Sequence, residues 1–203
     1  MYKMTRLQLR GFEVFKGYLD SAAQRALFED VRHVARAAPL FSPALARGKK
    51  MSVRMTSAGA VGWYADEAGY RYAERHPDGM KWPDIPDAIL ALWREITQLE
   101  RDPDCCLINY YDGAAKMGLH QDRDEASFDW PVLSVSLGDD ALFRIGNLTR
   151  GGKTESIWLE SGDVVVMGGA ARLTYHGIDR IRFGSSKLLP KGGRINLTCR
   201  VVF

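Results

Sequence analysis

Cysteine is scarce in this chain: Cys105, Cys106 and Cys199 are the only three among 203 residues. An odd number, two of them adjacent, argues against a disulfide framework, and no CxxC spacing offers a structural zinc site. Free thiols suit a reducing compartment, so a cytoplasmic location is expected. Long apolar runs are absent as well. None approaches the roughly 18 residues of a membrane span, and charges interrupt the N-terminal MYKMTRLQLRGFEVF where a signal peptide needs an apolar core. Neither a membrane partner nor secretion is expected. There is no internal repeat, no low-complexity linker, and histidine is limited to four residues.

What is present is ordinary in bulk. A composition of 46% hydrophobic and 26% charged residues excludes wholesale disorder. The length suffices for one generous domain, or a core plus a lid. Net charge is +3 and the pI is near 8.8, which permits a phosphate-bearing partner without demanding one. Ser21 opens S-x-x-Q, and Ala22, Ala26, Leu27, Val31 and Val34 recur at helical spacing, predicting a capped amphipathic helix to about Ala38. A second helical pattern, from Ile85 through Ile89, Leu92, Trp93 and Ile96 to Leu99, follows the breaker-rich WPDIPD. From residue 105 short β-rich runs follow one another: CLINYY, PVLSVSLG, ALFRIG, ESIWLE, DVVVMGG, RLTYHGI and RINLTCRVVF. Such spacing predicts an antiparallel sandwich or small barrel. Residues 42–82 form an irregular connector too long for a neutral loop.

Two histidines fall in the β region. His120 belongs to GLHQDRDE, where His120 and Asp122 share one face of an extended strand, and His176 follows in LTYHGI. His33 and His76 are expected at the surface. Two imidazoles and a carboxylate suit iron(II) with three positions open, although a zinc hydrolase uses the same ligand types. In RINLTCRV, residues Arg194, Asn196, Thr198 and Arg200 stand beside the apolar face of Ile195, Leu197 and Val201. That is either an inward polar stripe able to grip a carboxylate, or a solvated strand face. Asp122-x-Asp124 is no calcium loop, since Ser127 and Leu133 replace the turn glycine and the terminal glutamate. GGKT at 151–154 is no phosphate loop, because Asn147 stands where the first glycine would be.

The connector has its own chemistry. Residues 44–75 interleave Met51, Met55, Trp63, Tyr64, Tyr70 and Tyr72 with Arg47, Lys49, Lys50, Arg54, Arg71 and Arg75, against Asp66, Glu67 and Glu74. Stacking rings beside phosphate-tracking cations are the parts of a single-strand binder. A hairpin packed on the core is the competing reading, preferred for Tyr64 and Tyr72.

MSVRMTSAGAVGW, LINYYDGAAKMGLHQDRDE, VLSVSLG, SGDVVVMGG, YHGI and RINLTCR together resemble the AlkB family of iron(II)- and 2-oxoglutarate-dependent dioxygenases, over roughly residues 51–203. The resemblance implies a double-stranded β-helix (jelly roll), an α+β chain with a mainly β core. Residues 1–104 would carry N-terminal helices and a nucleotide-recognition lid at about 42–82, residues 105–203 the dioxygenase core, folded as one unit. It implies that His120, Asp122 and His176 ligate Fe(II). Arg194 would hold the distal carboxylate of 2-oxoglutarate, Asn109 and Tyr111 would hydrogen-bond it, and Leu107, Asn196 and Arg200 would line the same pocket. Met55, Trp63, Tyr70, Asp124 and Arg150 would contact substrate, with Trp63 and His120 on either face of a flipped base and Asp124 on its exocyclic amine. Glu125 would be support, pairing with an arginine. The implied activity is oxidative demethylation of N-alkylated bases, of the 1-methyladenine and 3-methylcytosine type, in single-stranded DNA or RNA. Such a reaction consumes O2, releases formaldehyde and succinate, and is expected of a monomer. The rivals are the same chemistry on tRNA or a non-nucleic-acid substrate, and a non-catalytic nucleic-acid-binding module. RGKK before MSV and Met167 in place of a relative's tryptophan depart from the family pattern.

Overall fold

The computed structural model describes residues 4–44, 50–66 and 69–203. Arg47, Lys49 and Glu67, which the sequence places among the charges of the connector, lie outside the described residues. The chain opens with a hairpin, β1 (Thr5–Leu9) and β2 (Phe12–Lys16), not with a helix. Its two-residue turn has positive φ at both Arg10 (50°) and Gly11 (84°), the geometry that matches strand twist. The Arg10 side chain is tied down, Nη1 donating to Gly146 O and Asn147 Oδ1 and Nε to Glu155.

The cap of helix α1 (Ser21–Ala37) lies one residue before the one the sequence suggests. Asp20, not Ser21, accepts from the Ala22 and Ala23 amides at 2.9 and 2.8 Å. Gln24 turns to the Leu19 carbonyl and Ser161 instead of closing a capping box. Helix α2 (Asp87–Thr97) starts after Pro86 and stops at Gln98 in the left-handed region. Leu27, Val31 and Val34 of α1 and Ile89, Leu92 and Trp93 of α2 cover one face of the larger sheet. Each such burial contributes roughly 1.5–3 kcal/mol. Among the described residues no helix is long and apolar enough to cross a membrane.

The remaining strands are β3 (Arg54–Gly59), β4 (Gly62–Asp66), β5 (Gly69–Ala73), β6 (Cys105–Tyr111), β7 (Met117–His120), β8 (Val132–Gly138), β9 (Asp140–Ile145), β10 (Glu155–Leu159), β11 (Val164–Met167), β12 (His176–Arg182) and β13 (Arg194–Arg200). A seven-stranded sheet runs β1-β2-β11-β8-β13-β6-β3, and a four-stranded sheet runs β10-β9-β12-β7. Phe12, Val14 and Val165 of the first meet Phe143, Ile145 and Ile178 of the second in the core between them. This is the jelly roll. The connector is not irregular throughout: β3 pairs with β6 from Arg54 to Gly59 and is an edge strand of the large sheet, so only β4 and β5 form a separate hairpin. The division at residue 104 does not follow the sheet either, since β1, β2 and β3 precede it.

Candidate metal centre and cleft

β7 and β12 are antiparallel, with His120 and His176 as direct register partners and ring centroids 4.7 Å apart. The approach needs glycine after His176: a Cβ on Gly177 would lie 2.5 Å from the Met117 carbonyl oxygen. Each imidazole donates through Nδ1 to the carbonyl two residues upstream, His120 to Gly118 and His176 to Thr174, both at 3.0 Å. A carbonyl only accepts, so Nδ1 carries the hydrogen and Nε2 keeps its lone pair. Asp122 brings Oδ1 to 3.6 Å from His120 Nε2 and Oδ2 to 3.9 Å from His176 Nε2. One ligand atom from each residue fits within 4.8 Å of the others.

Burial alone would push the Asp122 carboxyl up, but Arg200 at 2.9 Å and the two imidazoles hold it well below the usual carboxylate range. Burial pushes His176 down to about 4, so it is neutral near pH 7. Burial also lowers His120, yet Asp122 outweighs it and the net shift is upward. Asp122 Oδ2 is buried with no hydrogen-bond partner. One anionic oxygen and two nitrogen lone pairs, with a bare oxygen among them, fit a divalent transition metal.

Beside this centre lies the inner face of β13. Every residue of that strand is buried, so its polar stripe is not a solvated face. Arg194 donates through Nη2 to Ser136 Oγ at 3.0 Å and lies over the Tyr111 ring, while Nε and Nη1 find no partner. Burial lowers its pKa and pushes Tyr111 up to about 12, so the phenol keeps its proton. A buried guanidinium with two idle donors costs free energy that a carboxylate would recover by a forked pair of hydrogen bonds. Asn109 Oδ1 is likewise unpartnered, whereas Asn196 is engaged by Ser134 and Thr198. Arg200 grips Asp122, so its charge serves the metal centre first.

On the open side, Trp63 of β4 stacks on Tyr70 of β5 with centroids 5.4 Å apart and planes 19° apart. Trp63 Nε1 donates to Asp124 Oδ2 at 2.9 Å. Tyr70 is 58% exposed, Met55 is buried, and Arg150 lies over Tyr175 across the opening. Tyr72 packs on the core, as preferred, and its hydroxyl donates to Glu125; Tyr64 carries Arg71 over its ring. All the site residues read from the sequence line one cleft of about 530 Å³.

His76 departs from its expected surface position. It is 3% exposed, bonded through Nε2 to Pro39 O and edge-on to Phe41 and Trp82, so it serves as packing. Ser134 and Ser136 were not singled out, although the alternation in VLSVSLG puts both on the face of β8 that meets Asn196 and Arg194. Arg172 was missed as well. It pairs with Glu125 at 2.9 Å, closer than Arg200 at 3.5 Å, and nothing in its local sequence signals this.

A family model described as the 2OG-Fe(II) oxygenase superfamily matches residues 11–200. The chain is 55% identical over 191 residues to the alpha-ketoglutarate-dependent dioxygenase AlkB homolog of Caulobacter vibrioides, spanning 94% of this chain and 87% of that protein. It is 38% identical over 195 residues to the alpha-ketoglutarate-dependent dioxygenase AlkB of Escherichia coli, spanning 94% and 89%. The solved structure of OsALKBH1 superposes with a TM-score of 0.81 at 30% identity, over 96% of this chain and 99% of that one.

Proposed function

Because the chain belongs to the AlkB family of 2OG-Fe(II) oxygenases, we propose that it removes alkyl groups from single-stranded nucleic acid, with 1-methyladenine- and 3-methylcytosine-type bases as substrates. It is an Fe(II)- and 2-oxoglutarate-dependent dioxygenase whose reaction is oxidative demethylation. Nucleic acid is the substrate in a family that includes DNA and tRNA demethylases.

Bound iron, with 2-oxoglutarate and O2, supplies the oxidation of the N-alkyl group. The chain supplies geometry. His120 and His176 present Nε2 with its lone pair fixed, and Asp122 adds the anionic oxygen. Arg194 receives the distal carboxylate on its idle Nε and Nη1, with Asn109 and Tyr111 beside it. Trp63 and His120 take the two faces of the flipped base, which must leave its stack because the reacting methyl sits on the pairing edge. Asp124 accepts from the exocyclic amine, and Met55 helps exclude water. Leu107, Asn196 and Arg200 complete the cosubstrate wall, while Tyr70 and Arg150 steady the strand. The buried free thiols suit the cytoplasm.

The observation that carries this reading is the unpaired, buried Arg194 facing the same cleft as the His-Asp-His cluster. Anaerobic titration with Fe(II) and then 2-oxoglutarate should raise a weak visible charge-transfer band. Succinate and formaldehyde should then form with methylated oligonucleotides once air is admitted. No band and no succinate would refute the proposal. Matched methylated DNA and tRNA strands tell the two nucleic acids apart.

A further inference from the structure

Trp63 and Tyr72 face each other across the β4–β5 hairpin, and they donate to consecutive carboxylates, Asp124 and Glu125. The two contacts differ in kind. The Trp63–Asp124 bond borders solvent, whereas the side chains of Glu125 and Arg172 are 1% and 3% exposed. Around Glu125 the polar groups converge, although Arg200 Nε makes no hydrogen bond. Arg172 Nη2 donates to Oε2 at 2.9 Å, Tyr72 donates to Oε1, and Arg200 Nε lies 3.5 Å from Oε1. Arg172 also donates through Nη1 to the main-chain carbonyl of Asp122 at 2.5 Å and through Nε to that of Trp130 at 2.9 Å. Asp122 is thus held twice, by its carboxylate through Arg200 and by its carbonyl through Arg172, and both arginines reach Glu125.

We propose that Arg172 and Glu125 are positioning residues that lock the β4–β5 hairpin to the ligand Asp122, so that the stacking wall and the metal centre are set as one block. The inference rests on reading His120, Asp122 and His176 as the metal centre. Stability alone does not account for this cluster. Apolar side chains of similar volume stabilise a buried site as well as ion pairs do, whereas directional hydrogen bonds fix position. Asp122 needs such fixing because residues 121–130, between β7 and β8, have no regular structure of their own. Outer partners that orient a ligand are worth about 10- to 100-fold in metal affinity.

The test uses the full chain and Co(II) alone, whose visible absorption reports ligand geometry, with melting temperature measured on the same samples. Arg172→Lys and Glu125→Gln should weaken Co(II) binding by about 10- to 100-fold and shift the band. Tyr72→Phe, which removes one hydroxyl from the hairpin and keeps the ring, should shift the band in a protein that still folds and melts cooperatively. A Tyr72→Phe protein with native Co(II) affinity and spectrum overturns the link to the hairpin. A folded Arg172→Lys protein with native binding overturns the role of Arg172. Should Arg172→Lys not fold, Tyr72→Phe and Glu125→Gln decide. If the unaltered chain takes up no Co(II), or Asp122→Ala binds it as tightly, the metal-centre reading itself falls and takes this inference with it.

Discussion

Arg194 is buried among neutral partners with two of its nitrogens idle, and that imbalance makes it the sharpest single-residue probe of the cleft. Arg194→Lys keeps the charge and loses the fork, a loss of about 1–3 kcal/mol. Apparent affinity for 2-oxoglutarate should fall by roughly 5- to 150-fold on that scale, with nucleic-acid affinity unchanged. The reverse pattern in steady-state titrations would move Arg194 to the strand-binding surface. Asp122→Asn preserves shape and an acceptor for Arg200 but removes the anionic ligand, so demethylation should be abolished. Near-native formaldehyde release from that variant would sink the ligand assignment. Trp63 also packs in part against the core, so Trp63→Ala should lower the melting temperature a little. Its cost of about 1–3 kcal/mol of base stacking should fall on nucleic-acid affinity while metal and 2-oxoglutarate binding stay intact. Trp63→Phe should recover part of the loss. If core packing is the whole role of Trp63, the alanine protein loses all activities together.

At the scale of elements, α1 gives a clean stability test. Asp20→Ala removes the acceptor for two amides and should cost about 1 kcal/mol by chemical denaturation, whereas Ser21→Ala should cost little. Equal losses would restore Ser21 as the cap. Both helices were legible because their apolar positions repeat at helical spacing and face one sheet. The alternation of β13 was legible in RINLTCR, but that its polar face points inward was decided only by the burial of the whole strand. β1 and β2 were not, since β1 is largely exposed and its turn is Arg-Gly, without the usual Asn-Gly or Asp-Gly signal. β3 was hidden inside a stretch whose charge and aromatics suggested a surface. His76 was hidden for a related reason: its neighbours Pro39, Phe41 and Trp82 are distant in sequence. The candidate site came mostly from motif resemblance, and Arg172 escaped because its partners arise only from folding.

For the molecule as a whole, a ligand that binds only the folded chain stabilises it by mass action. Saturation at 100 times the dissociation constant adds about 2.7 kcal/mol. For a chain of this length, with about 2–4 °C per kcal/mol, anaerobic Fe(II) with 2-oxoglutarate should raise the melting temperature by about 5–10 °C. An unchanged transition at saturating concentrations would contradict a preformed pocket. The position of β13 has a consequence for synthesis. It lies between β8 and β6, yet it follows every other strand in the chain. Until it arrives, β1-β2-β11-β8 and β6-β3 are separate ribbons, and the flanks of β8 and β6 stand open as unpaired edges. Most pairing is long-range, so folding should be slow for a domain of this size. A nascent chain stalled before Arg194 therefore offers two templates for aggregation, and the same strand that carries Arg194 closes both.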